Sequence, residues 1–166
     1  MYTIVGLGNP GEEYENTRHN TGKIIAEKLG FGSVDEFMNN SGKAIAKKIK
    51  SKKAATKLII IHDDLDLPIG SFKISYNRGP GGHRGVGSII KALKSQEFTR
   101  IRVGISKQKP NGQVSKPKGE EAVLKFILGT FKPDELKVLN KLSKKISEAI
   151  SLIEEGGPQA AMNAFN

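Results

Sequence analysis

The chain reads as an α/β fold, a twisted mixed sheet flanked by helices. Short β-rich runs alternate with helical patterns along its whole length, the arrangement that layers helices on a sheet. Leu58-Ile59-Ile60-Ile61 is apolar without interruption, as expected of a strand covered on both faces. Near the end, Leu136, Leu139, Leu142, Ile146, Ile150 and Ile153 recur at helical spacing. With 166 residues, no internal repeat and no interdomain linker, residues 1–166 are expected to form one domain.

The first strand is Tyr2 to Val5, which breaks into Gly6-Leu7-Gly8-Asn9-Pro10-Gly11 and a loop continuing through Thr17-Arg18-His19-Asn20. A short helix carries Ile24, Ile25 and Leu29, with Gly30 as its stop. Asn40 or Ser41 can cap the next helix, where Ile45 and Ile49 face inward and Lys43, Lys47 and Lys50 line another face. The apolar strand ends in His62-Asp63-Asp64-Leu65-Asp66-Leu67-Pro68, and Phe72 to Tyr76 alternates as a further strand. Gly79-Pro80-Gly81-Gly82 feeds a helix starting near His83, with Val86, Ile89, Ile90 and Leu93 on one side. Arg100 to Ile105 alternates basic and apolar residues as a strand, and Lys107 to Gly119 reads as a mobile loop. The final helix runs from about Asp134 to Glu155, where Gly156-Gly157 ends it.

Composition narrows the function. Apolar residues make up 37% of the chain, enough to fill a core, so a disordered chain is excluded. The absence of Cys removes a disulfide scaffold, a thiol nucleophile and a thiolate zinc site. No aliphatic run approaches a membrane span, and the N-terminus has no basic region ahead of Glu12 and Glu13, so a cytoplasmic protein without a leader is expected. Lys and Arg number 27 against 17 acidic residues, a net +10. That excess points to a polyanionic partner, nucleic acid ahead of an anionic membrane.

Several motifs carry chemistry. The glycines at 6, 8 and 11 have the spacing of a dinucleotide-binding fingerprint, but Glu12 and Glu13 stand where phosphates would lie and no helix follows at once. His19 lies in a polar loop, and Asp63 lies where the apolar strand ends, the side of a sheet on which sites form. An imidazole oriented by a carboxylate can act as general base toward water. Asp63, Asp64 and Asp66 offer an alternative as Mg²⁺ ligands, although residues 64 and 66 share one side of an extended chain and 63 points away. Lys73, Arg78, Arg84, Lys91, Lys94, Arg100 and Arg102 add to the lysine face as a surface able to follow phosphates. Few aromatics interleave with them, so backbone and shape recognition of a folded RNA is favoured over base stacking.

Read in order, Val5 to Gly11, Tyr14, Thr17-Arg18-His19-Asn20, Phe37-Met38-Asn39, Ser41-Gly42-Lys43, His62 to Pro68, Gly81-Gly82-His83, Arg100 to Ile105, Phe126 to Gly129 and Met162-Asn163 resemble the bacterial-type peptidyl-tRNA hydrolase family. The resemblance is collinear over nearly the whole chain. It implies an esterase that cleaves a peptide or N-blocked amino acid from the 3′ end of tRNA. By motif position it implies His19 as general base, Asp63 as its orienting partner and Asn9 as the group separating blocked from free aminoacyl ends. It further implies Tyr14, Phe37 and Asn39 as cleft lining, and Lys73 and Arg102 as phosphate contacts, joined here by Lys43 and Lys91 from the basic surface. It implies no metal and no organic cofactor, and a monomer is expected.

Two features depart from the family pattern. Arg84 follows Gly81-Gly82-His83 where the family usually has Asn, which places a cation without acceptor capacity at the substrate. Only residues 20–36 separate His19 from Phe37, so the sheet is expected to lack strands usual between the catalytic histidine and the Phe-Met-Asn motif. A non-catalytic tRNA- or RNA-binding relative and a metal-dependent phosphoesterase are the rival readings.

Overall fold

The computed structural model describes every residue from Met1 to Asn166. The chain opens with β1 (Thr3–Gly6), two short 3-10 helices (Glu12–Tyr14 and Arg18–Asn20), α1 (Thr21–Lys28) and β2 (Gly32–Ser33). A third 3-10 turn, Met38–Asn40, leads to α2 (Ser41–Lys48), α3 (Lys52–Ala55), β3 (Leu58–Pro68) and β4 (Phe72–Tyr76). Then come α4 (Arg84–Leu93), β5 (Thr99–Gln108), β6 (Val114–Ser115), α5 (Glu120–Ile127) and α6 (Pro133–Phe165).

The strands form one mixed sheet in the order β2-β1-β3-β5-β4, with β6 paired to β5. β2, β1, β3 and β5 run parallel, whereas β4 and β6 are antiparallel to β5. The alternation of a strand's side chains divides the core between the two faces. Ile59 and Ile61 join Ile4, Ile101 and Val103 under α1 and α6, where Leu139, Ile146, Ile150 and Ile153 complete the layer. Leu58 and Ile60 join Val5 under α2 and α4, against Ile45, Val86 and Ile89. The uninterrupted apolar run is therefore the consequence of two covered faces. No helix is long and apolar enough to cross a membrane.

β1 and β3 pair from Thr3↔Leu58 to Gly6↔Ile61, and there β1 stops. The chain leaves β1 toward β2 on one side, while β3 is continued by β5 and β4 on the other. This reversal of winding opens a crevice at the carboxyl ends of the strands. α1 reaches the same seam because two glycines let backbone meet backbone. A Cβ on Gly22 would lie 2.0 Å from the Ile61 carbonyl oxygen, and one on Gly6 would lie 2.2 Å from the Gly22 oxygen.

The structure differs from the sequence reading in several places. The strand expected to end at Ile61 continues to Pro68, because β5 still pairs with it after β1 has gone. Residues expected to be loop between Gly11 and Asn20 form the two 3-10 helices. Neither Asn40 nor Ser41 caps α2 with its side chain; the Ser41 hydroxyl donates instead to the Met38 carbonyl at 2.7 Å. Residues 107–115 form the β5–β6 hairpin, pairing Lys107 with Ser115 and Gln108 with Val114. The short α3 and α5 were not expected. Gly157, at φ +83°, does interrupt the last helix, but helix resumes through Phe165 because Ala161 is buried against the core. Asn166 then exchanges hydrogen bonds of 2.8 and 2.7 Å with the Ile74 backbone, covering part of the exposed β4 edge.

Gly22→Ala is expected to force α1 off the seam and destabilise the fold by about 1–3 kcal/mol, visible as a lower midpoint in thermal unfolding. An unchanged midpoint would contradict the close approach described here.

Candidate active site

Asp63 lies two positions beyond the last residue of β3 that β1 covers, so its carboxylate enters the crevice while its backbone remains in the sheet with β5. The residue is 4% exposed. A buried carboxylate is costly unless its lone pairs are taken, and here histidines take them. His19 Nδ1 lies 2.8 Å from Oδ2 and His83 Nε2 lies 2.8 Å from Oδ1. The third histidine turns to the same residue's backbone, with His62 Nδ1 2.7 Å from the Asp63 carbonyl oxygen.

The remaining contacts assign the tautomers. His83 is the N-cap of α4, and its Nδ1 accepts from the Val86 N–H at 3.2 Å, so Nε2 donates to Asp63. His62 Nε2 faces the Arg100 guanidinium at 3.4 Å, which leaves Nδ1 as its donor. His19 Nδ1 donates to Asp63, and its Nε2 has no partner within the protein. Only His19 therefore offers a free ring nitrogen to the cleft. The His83 ring stands 5.1 Å from that of His19 and 4.6 Å from that of His62.

Electrostatics follow from this packing. Burial works against a charged Asp63, but the two imidazoles, by charge and hydrogen bond, outweigh it and hold the carboxyl far below its usual range. Burial also works against a charged His19; Asp63 overcomes it and raises the imidazole above 6.5, with Arg84 acting in the opposite direction. His62 is pushed well below 6.5 by burial, then by His83 and Arg100, and stays neutral.

The loop after β1 is tied to the turn that carries His19. The Asn9 N–H donates to Asn20 Oδ1 at 2.8 Å, and Asn20 Nδ2 donates back to the Asn9 carbonyl at 3.0 Å. Asn9 Oδ1 accepts from the Met38 N–H at 2.8 Å, so only its amide NH₂ is left for the cleft. Tyr14 and Phe37 form one wall, edge to face at 6.1 Å, and Leu124 of α5 and Leu128 just after it contribute exposed apolar surface to the same cleft. The cleft is about 670 Å³ in volume, with Arg78, Arg100, Arg102 and Lys116 among its lining residues.

A family model for peptidyl-tRNA hydrolase matches residues 3–34 and 27–166. The peptidyl-tRNA hydrolase of Syntrophotalea carbinolica is 34% identical over 194 residues, covering 100% of this chain and 97% of the relative. That of Aquifex aeolicus is 35% identical over 191 residues, covering 98% and 95%. The crystal structure of the Acinetobacter baumannii peptidyl-tRNA hydrolase superposes with a TM-score of 0.85 at 27% identity, covering 100% of this chain and 94% of that one. The chain belongs to the peptidyl-tRNA hydrolase family.

The alignment to the Syntrophotalea carbinolica relative is longer than this chain of 166 residues, and the two family-model matches meet at residues 27–34. A peptidyl-tRNA hydrolase fold is thus closed here with less chain. The two-residue β2 is the strand present in that stretch.

Of the residues singled out from sequence, Asn9, Tyr14, His19, Phe37, Asn39, Asp63, Arg84 and Arg102 all line the cleft. Lys43, Lys73 and Lys91 are exposed outside it, although Lys73 stands directly across the β4–β5 ladder from Arg102. Arg102 is not a free cation: its Nη1 pairs with Asp64 at 3.0 Å. Arg84 likewise pairs with Glu120 at 2.7 Å, joining the starts of α4 and α5 across the cleft. Asp66 pairs with Lys116. The three aspartates therefore do not converge as a ligand set; the one group of potential metal ligands is His19, Asp63 and His83, whose facing atoms already pair with one another.

The sequence assigns His83 no role, and it reads Arg100 only as one member of the basic surface. His83 follows the glycine-rich turn as a helix N-cap, a position that aims its ring back at the strand ends. Arg100 shares its strand parity with Arg102, opposite to the apolar Ile101 and Val103.

In an NMR titration, His19 is expected to titrate above 6.5 and His62 to remain the neutral Nδ1–H tautomer throughout. In Asp63→Asn, only burial and Arg84 still act on His19, and both lower it, so its midpoint should fall below 6.5. A midpoint that stays above 6.5 in the variant would refute Asp63 as the cause.

Proposed function

We propose that the protein hydrolyses the ester between a peptide, or an N-blocked amino acid, and the 3′ end of tRNA, with His19 activating the water. The observation that carries this reading is the free Nε2 of an imidazole whose Nδ1–H is held by a buried carboxylate. His19 Nε2 removes a proton from water as the oxygen attacks the ester carbonyl. Asp63 stabilises the imidazolium that forms, and this imidazolium then protonates the departing ribose oxygen. An ester to ribose is an activated acyl group, so the sequence needs no metal or organic cofactor.

Asn9 separates blocked from free substrates. With Oδ1 committed to Met38, its NH₂ can donate to a substrate carbonyl but has nothing to offer an ammonium, which is itself only a donor. Tyr14, Phe37 and Asn39 hold the acylated end, and Leu124 and Leu128 give peptide side chains an apolar surface. Arg84 contributes from the opposite rim. Arg102 and the exposed Lys73, Lys43 and Lys91 attract the RNA backbone as a diffuse field, with affinity that falls as salt rises. The whole chain acts as one catalytic domain, monomeric and cytoplasmic.

The test is release of N-acetyl-aminoacyl-tRNA and of free aminoacyl-tRNA, with EDTA present. Cleavage of the blocked substrate alone is expected. His19→Ala should lower kcat by about 10²–10⁴-fold while leaving tRNA binding intact. Near-normal turnover by that variant would overturn the mechanism, and binding without cleavage by the wild type would favour the non-catalytic relative.

A further inference from the structure

Arg100 is 4% exposed, yet no carboxylate contacts it. Its Nη2 donates to the Gly79 carbonyl at 2.6 Å and its Nη1 faces the neutral His62 at 3.4 Å. The nearest acid, Asp64, is taken by Arg102. Arg78, exposed on the same cleft wall, makes no ion pair. Three guanidinium groups thus share one corner of the cleft with a single carboxylate between them. Arg102 Nε and the hydroxyl of Ser75, which pairs with Arg100 across the β4–β5 ladder, are also buried without partners. An uncompensated buried cation is costly to a fold. Its neighbours make the cost worse, since burial, Arg102 and Arg78 push the Arg100 guanidinium down to about 10. An anion arriving in the cleft would relieve that imbalance.

We propose that Arg78 and Arg100, with Arg102 beside them, form a subsite for the phosphodiester on the 5′ side of the terminal nucleoside of the substrate. The inference rests on the acceptor end occupying this cleft. Position selects the phosphate. Arg100 touches His62, whose ring meets that of His83 edge to face, and His83 bonds Asp63, so two imidazoles and the carboxylate lie between the corner and the general base. The anion of the substrate closest to the scissile ester is that phosphodiester. The planar fork of an arginine suits it, and Arg78 is free to supply two donors.

Three N-acetyl-aminoacyl esters test this: of adenosine, of the dinucleotide CpA, and of an acceptor minihelix with or without its 5′ phosphate. Arg78→Gln changes an exposed residue. It should lower kcat/KM for the CpA ester by about tenfold and leave the adenosine ester unchanged. On the minihelix it should make the salt dependence shallower by about one counterion, whether or not the 5′ phosphate is present. Arg100→Lys should show the same preference for the phosphate-bearing ester. Equal losses on adenosine and CpA esters would overturn the proposal in favour of a structural role. No loss on CpA would also overturn it. A penalty that disappears when the 5′ phosphate is removed would assign the corner to that phosphate instead. A wild type that cleaves none of the esters would overturn the functional reading itself, and the subsite with it.

Discussion

Asp63 is one carboxylate surrounded by three imidazoles, and the cost of burying its charge organises the crevice around it. Each oxygen accepts from one histidine and the backbone carbonyl accepts from the third. Removing any partner would leave a buried charge or a ring without direction. The same arrangement distributes the histidines' tasks. His83 is committed at both nitrogens, to α4 and to Asp63, and His62 is committed to the backbone and Arg100. His19 alone retains a ring lone pair facing the cleft, and this hydrogen-bond accounting supports the proposal that it is the base.

The sheet explains why this carboxylate is there. β1 stops after Gly6 while β3 runs on beside β5, so residues from His62 onward lose cover on one side only. Asp63 is held in the sheet because β5 still pairs with it, and its buried carboxylate can reach the histidines because β1 does not. Gly6 and Gly22 bring α1 down onto that seam, which places the His19 turn within reach. The Asn9–Asn20 pair then locks the β1 loop to the same turn. None of these elements lies in the stretch around β2 where the chain is shorter than its relatives. The family-model matches that meet at residues 27–34 place the shortening next to β2, beyond the turn that carries His19.

Much of this was legible in the sequence. The apolar run at 58–61, the alternation at 72–76 and 100–105 and the stripe of the last helix locate the sheet and its layers, because period and burial are local properties of a chain. His19, Asp63 and Asn9 were legible through their motifs. The pairing of acids with bases was not. Arg102 with Asp64, Arg84 with Glu120 and Lys116 with Asp66 are contacts across the sheet or the cleft, and residue type alone does not say which charge is already spent. His83 escaped for a similar reason: its role depends on α4 starting where the glycine-rich turn aims it. The hairpin at 107–115 was read as loop because its Lys, Gly and Pro content resembles one, while β5 supplies the partner that orders it.

We propose that Asp63 acts on catalysis by charging and orienting His19. The most direct test is the pH dependence of kcat/KM for N-acetyl-aminoacyl-tRNA in the wild type and Asp63→Asn. A neutral base is required, so the wild-type rate should rise with pH through a midpoint above 6.5. The variant should be slower at its plateau, with its acid limb moved to lower pH. A variant that is slower but keeps the wild-type midpoint would contradict the account, because the carboxylate would then serve the fold and not the base.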